Sequence, residues 1–142
     1  MATVVSATTR ALGGAGSKQA AFIRRASILL RDAVREYGRG NYVDAMELGY
    51  QAALRTAGAY IAGTSVAKRR RLPAGAWGRV ALAGSDGVAW ASSFAPFSKK
   101  RSRLISGLDN EVDPALVADL IELTQHFLDE VESGGVQGKA AA

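Results

Sequence analysis

Residues 17–60 read SKQAAFIRRASILLRDAVREYGRGNYVDAMELGYQAALRTAGAY, and this stretch decides the fold. Phe22, Ala26, Leu29, Leu30, Ala33, Val34 and Tyr37 recur at steps of three and four. That spacing is the apolar stripe of an amphipathic helix, with Arg24, Arg31, Arg35 and Glu36 on the wet side. Ser17 is placed to cap the helix, and Gly38 and Gly40 supply the left-handed positions that end it. Asn41 then caps a second helix, on which Tyr42, Ala45, Met46, Gly49, Ala52, Ala53, Ala57 and Tyr60 share one broad face. A face of Gly and Ala lets other backbones approach closely, so this helix is expected at the centre of a bundle.

Downstream, the same signals repeat. Pro73 can open a short third helix carrying Trp77, Val80 and Leu82. Asp86 can cap a fourth, with Val88, Trp90, Ala91, Phe94 and Phe97 on its face. Pro96 lacks a backbone donor, so that helix is expected to kink or break just before it and resume over 98–107. Asp113-Pro114 is the cleanest start signal in the chain, an N-cap followed by proline at the first helical position. Val117, Leu120, Ile121, Thr124, Phe127, Leu128 and Val131 mark the buried face that follows, and Ser133-Gly134-Gly135 is expected to stop it. No period-two strand pattern occurs. The reading is all-α: an up-and-down bundle of four to five helices over 17–133, with a flexible leader over 1–16 and a flexible tail over 134–142.

The 142 residues suit one domain, and 48% hydrophobic content with mean hydropathy +0.02 supplies a core. No apolar run is long enough to span a membrane, and no secretory signal precedes the first helix. The absence of cysteine excludes disulfides, thiolate metal sites and cysteine nucleophiles. A single histidine, His126, excludes a self-contained multi-histidine metal site. No cofactor and no metal are expected, and the setting is read as cytoplasmic.

Charge is unevenly placed. Residues 1–108 hold 17 basic and 5 acidic groups, whereas residues 109–142 hold 1 basic and 8 acidic. Two basic runs stand out: Lys68, Arg69, Arg70 and Arg71, and then Lys99, Lys100 and Arg101 with Arg103 close behind. Such runs attract polyanions and make these eight residues the candidate nucleic-acid or nucleotide contacts. The acidic segment must pack in the same small domain, however, so a self-compensating surface is favoured. Trp77, Trp90, Phe94 and Phe97 lie between the runs; at helical spacing, core or an oligomer contact is favoured over base stacking.

His126 is the one candidate catalytic side chain, since it alone titrates near neutrality when unperturbed. Glu122 precedes it by four residues on the same helical face. An acid–base role needs a partner group and a pocket, so a plain surface histidine is the favoured reading. The carboxylates Asp119, Glu122, Asp129, Glu130 and Glu132 lack matching ligands on other helices and read as a solvated face rather than a metal site. Gly38-Arg39-Gly40-Asn41-Tyr42 has neither the strand context nor the spacing of a phosphate loop and reads as a helix–helix turn.

The assembled residues resemble the HEPN superfamily of small helical bundles, and within it the uncharacterised, mainly actinobacterial SAV-type branch. Carrying the likeness are Asn41-Tyr42-x-x-Ala45, the small-residue helix from Tyr50 to Ala59, the run Lys68–Arg71, Trp77, Val88-Ala89-Trp90-Ala91-x-x-Phe94 and Phe127-Leu128-x-x-Val131. The resemblance implies a four- or five-helix bundle, commonly a homodimer, with a nucleotidyltransferase-type protein among its possible partners. It also implies a metal-independent RNase where an Arg-x(4–6)-His motif is present: arginine holds the phosphate and histidine helps activate the attacking 2′-hydroxyl. That motif puts the arginine five to seven positions before the histidine, which for His126 are Ile121, Leu120 and Asp119; none is arginine, and no other histidine exists. A non-catalytic homodimeric binding or adaptor module is therefore the leading expectation. Nucleic-acid or nucleotide binding through the basic runs is the second. The third is a divergent ribonuclease borrowing Arg101 or Arg103.

Overall fold

The computed structural model describes residues 15–141. Five α-helices follow in order: α1 (Ala15–Gly38), α2 (Tyr42–Ala62), α3 (Ala76–Ala81), α4 (Ser85–Ile105) and α5 (Pro114–Ala141). A single 3₁₀ turn, Ser65–Lys68, joins α2 to the loop before α3. No strand occurs among the described residues. The expected leader over 1–16 falls almost wholly outside them.

Side-chain pairings give the direction of each helix. Gln19 Nε2 donates to the Ala59 carbonyl at 3.0 Å, while Tyr37 and Tyr42 meet edge-on at the opposite end, so α1 and α2 are antiparallel. Arg101 on α4 bonds Glu47 near the start of α2, while Trp90 in the first half of α4 packs on Phe127, which lies on Tyr60 near the end of α2, so α4 is also antiparallel to α2. Leu120 lies over Gly49 and Phe127 packs on Tyr60, so α5 runs parallel to α2. This is the up-and-down order that the hydrophobic spacing predicts.

The alanine face of α2 sits at the centre. Ala45, Ala52, Ala53, Ala57 and Ala59 are completely buried, and α1, α3, α4 and α5 all pack on this helix. Phe94 of α4 and Phe127 of α5 are the largest fully buried side chains. Trp77 stacks on Phe94 with ring centroids 4.5 Å apart, and Trp90 lies 4.5 Å from Phe127. The aromatic group between the basic runs is thus core, and Phe97 belongs to it as well. Small residues on one helix leave room for rings on its neighbours, which keeps the interior dense.

One glycine decides how α3 meets α4. Gly87 is buried, and a Cβ there would run into the Val80 carbonyl oxygen, a backbone atom that cannot swing aside. Only a residue without a side chain permits that approach.

Several helix ends differ from their sequence signals. Ser17 lies inside the first turn, because α1 already begins at Ala15. Asn41 stands at the N-cap position of α2 without capping it: its Nδ2 donates to Glu36 Oε2 at 2.6 Å, tying the turn back to α1 instead. Pro73 precedes α3 rather than opening it, and its carbonyl accepts from Arg79 Nε at 2.7 Å. Gly84 occupies the N-cap position of α4, leaving Asp86 in the first turn, where a carboxylate suits the positive helix pole.

Pro96 does not break α4, which is continuous from Ser85 to Ile105. Pro96 and Ser92 are both exposed, so the carbonyl that loses its partner faces water rather than the core. Likewise α5 continues through Ser133-Gly134-Gly135 to Ala141, where the sequence suggests a stop. A glycine costs an established helix only about 1 kcal/mol relative to alanine, which does not by itself end it. Asp113-Pro114 behaves as read: Asp113 Oδ1 accepts from the Ala115 backbone N–H at 2.9 Å. Val34, placed on the apolar stripe of α1, is 53% exposed.

Candidate functional site

The two basic runs meet different fates. Lys99–Arg103 lies on the last turns of α4, opposite the start of α2 and beside the loop leading to α5. Arg101 makes two hydrogen bonds to Glu47, Nε to Oε1 at 2.8 Å and Nη2 to Oε2 at 3.0 Å. Its guanidinium also lies over the Tyr50 ring, 5.0 Å from the centroid. Tyr50 Oη in turn accepts from Trp77 Nε1 at 2.8 Å. A fork of donors on a carboxylate and a flat cation over a ring are arrangements that suit arginine in particular. The Arg101 hydrogen bond holds the Glu47 carboxyl below its ordinary range, and Glu47 raises the pKa of Arg101 in return.

Asp109 takes up two more of these cations. Its Oδ2 accepts from Lys100 Nζ at 2.8 Å and from Arg103 Nε at 2.9 Å. The Arg103 and Lys100 hydrogen bonds pull the Asp109 carboxyl down to about 2. Within the run only Lys99 is exposed without an ion pair among the described residues. The neutralisation expected of the chain's acidic end thus comes from Asp109 and Glu47, not from α5. Along α5, Asp119, Glu122, Asp129, Glu130 and Glu132 are exposed, and no lysine or arginine pairs with them among the described residues.

Lys68–Arg71 stands apart. Lys68 ends the 3₁₀ turn, Arg69–Arg71 form the loop after it, and all four are exposed. None makes an ion pair among the described residues. Buried Val66 anchors the turn from below.

Beside this run lies an open groove of about 500 Å³ between α1, the end of α2 and the loop. Phe22, Ile61 and Leu72 give it an apolar floor, and Lys18, Lys68 and Arg79 stand along its edge. No carboxylate lines it among the described residues. The Arg79 Nε–H bond to the Pro73 carbonyl holds that guanidinium in place. Gly58 lets the Phe22 ring pack closely against α2, since a Cβ there would meet it at 2.9 Å. Sequence reading missed this feature. Lys18 and Arg79 are isolated cations 61 positions apart, with no local signal that they meet.

His126 projects from the outer face of α5, with its side chain 68% exposed. Its Nε2 lies 3.9 Å from Glu122 Oε1, and that carboxylate is equally open to water. Upstream, Leu120 is completely buried and Ile121 half-buried, packed against α2. Arg101 and Arg103, the arginines a divergent ribonuclease would borrow, are held by Glu47 and Asp109. No cluster of metal-ligating side chains occurs among the described residues.

An all-helical bundle with a small-residue central helix, an aromatic core and one unpaired basic loop is the class these features define. The profile of the SAV_6107-like HEPN family matches residues 41–132, from the start of α2 into α5, and the chain belongs to that family. No curated protein matches it, and neither does any solved structure.

Proposed function

We propose that the protein is a non-catalytic HEPN module that works as a homodimer, by binding rather than by cutting RNA. The observation that carries this reading is the occupancy of the three positions five to seven before His126: Asp119, Leu120 and Ile121. Where a phosphate-holding arginine is needed, the chain has a buried leucine, a half-buried isoleucine and a carboxylate. Glu122, 3.9 Å away, repels a phosphodiester from the one imidazole available, so the electrostatic half of the chemistry is not supported there.

The test is cleavage of a fluorogenic single-stranded RNA by the purified protein and by His126→Ala, combined with sedimentation at micromolar concentration. Background cleavage by both proteins, with a dimer in the centrifuge, is expected. Cleavage that disappears in His126→Ala overturns the non-catalytic reading, and a strict monomer overturns the dimer.

The nucleic-acid alternative retains one supporting observation, the unpaired Lys68–Arg71 loop. Among the described residues, five of its eight candidate cations are free of ion pairs: Lys68, Arg69, Arg70, Arg71 and Lys99. Counterion release then predicts a salt slope of about −0.7 to −0.9 per phosphate contacted, limited to those cations. The aromatic rings that could have stacked on bases lie mostly in the core.

A further inference from the structure

We infer that the groove between α1, the end of α2 and the Lys68–Arg71 loop is a docking site for an acidic peptide segment carrying a large apolar side chain. This rests on the binding-module reading above and names the surface and the chemistry of its partner.

Three observations select that occupant. The floor of Phe22, Ile61 and Leu72 accepts an apolar group, and its volume of about 500 Å³ exceeds what one side chain needs. Lys18, Lys68 and Arg79 stand around it with no carboxylate among the described lining residues, so these side chains give the opening a positive field. Beyond the groove the positive charge continues through Arg69, Arg70 and Arg71, all exposed and without ion pairs among the described residues. A ligand that uses the whole surface therefore bears several negative charges along an extended length and a greasy anchor between them. An acidic peptide has both features.

RNA matches the charge but not the floor. The groove offers a single ring, Phe22, pressed against Gly58, while Trp77, Phe94 and Phe127 are packed together in the interior. Stacking platforms are what single-stranded nucleic acid requires beyond charge. A fatty carboxylate matches the floor but places one charge where the surface presents a run of cations.

The test is fluorescence polarisation of the full chain with a labelled peptide in which a Leu-Phe pair is flanked by glutamates. Single-stranded RNA and laurate serve as rival probes. The protein is expected to bind the peptide with an affinity that falls as salt rises. Lys68→Glu and Leu72→Ser are each expected to weaken it about tenfold, because one inverts a rim charge and the other removes apolar contact. Lys99→Glu, in the other run, is expected to leave it unchanged. Lys68 is exposed and Leu72 is half-buried in a loop outside the helices, so unaltered helical circular dichroism accompanies the loss.

Peptide binding that ignores Leu72→Ser overturns the groove. Tighter binding of RNA, insensitive to Leu72→Ser, overturns the peptide in favour of nucleic acid. Binding of laurate alone, or of no probe, overturns it too. Each of these results leaves the dimer and the absence of cleavage to their own measurements.

Discussion

Lys68–Arg71 and Lys99–Arg103 look alike in sequence and differ in the folded chain. Four cations of the first run point into water beside an apolar groove. Three of the four in the second are held by Glu47 and Asp109, and one of these, Arg101, also covers the ring of Tyr50. The difference lies in what surrounds each run. The helices beside the first run bring Lys18, Phe22, Ile61 and Arg79 to it, whereas the end of α4 is bracketed by α2, with Glu47, and by the chain on its way to α5, with Asp109. Local charge density in a sequence becomes a surface field only where the fold leaves it unpaired.

The largest effect is expected from breaking the contact that holds the two regions in place. Gly87→Ala pushes a methyl group into the Val80 carbonyl, forcing α3, which carries Arg79, away from α4, which carries the second run. A loss of about 3 kcal/mol is expected in urea unfolding, at the upper end for overpacking. A fully stable variant would show that the two helices can separate without cost.

Next in size is Arg101→Met. It leaves the half-exposed Glu47 without its cation and removes the contact over Tyr50, for an expected loss of about 1–2 kcal/mol in the same assay. Its counterpart, Lys68, Arg69, Arg70 and Arg71 all changed to Gln, is expected to move stability by no more than about 0.5 kcal/mol. Equal losses from the two changes would erase the comparison.

Asp109→Asn sharpens it from the other side. Releasing Lys100 and Arg103 gives the second run two unpaired cations, so the salt dependence of polyanion binding steepens. Acid does the same. Because the folded Asp109 carboxyl sits at about 2, below its ordinary 3.8, its contribution to stability is complete above the ordinary value. That contribution is lost as pH falls through about 2. A titration following the Asp109 side-chain carbonyl by NMR checks the midpoint.

The sequence made the bundle legible because amphipathic spacing and caps are local. The alanine face of α2 and the Asp113-Pro114 start could be read from a few neighbouring residues, and both fold as read. Pro96 and the Gly134-Gly135 pair were misleading for one reason. Each is a breaker by local propensity, and the helix bearing it continues all the same. Val34 fits the stripe of α1 by spacing yet stays largely exposed, since periodicity does not say how wide a buried face is. The candidate site was legible only as composition. That Arg101 would meet Glu47, 54 positions away, and that Lys18, Leu72 and Arg79 would border one groove, are facts of tertiary packing with no local signal. His126 is the exception: its missing arginine partner could be read directly from Asp119, Leu120 and Ile121.

Competitive lysine acetylation of the native protein at neutral pH, read residue by residue by mass spectrometry, tests the contrast between the runs without any ligand. Lys68 and Lys99 are expected to react severalfold faster than Lys100, whose amine is hydrogen-bonded to Asp109, and Asp109→Asn is expected to close that gap. Equal rates at all three lysines in the unaltered chain would contradict the account.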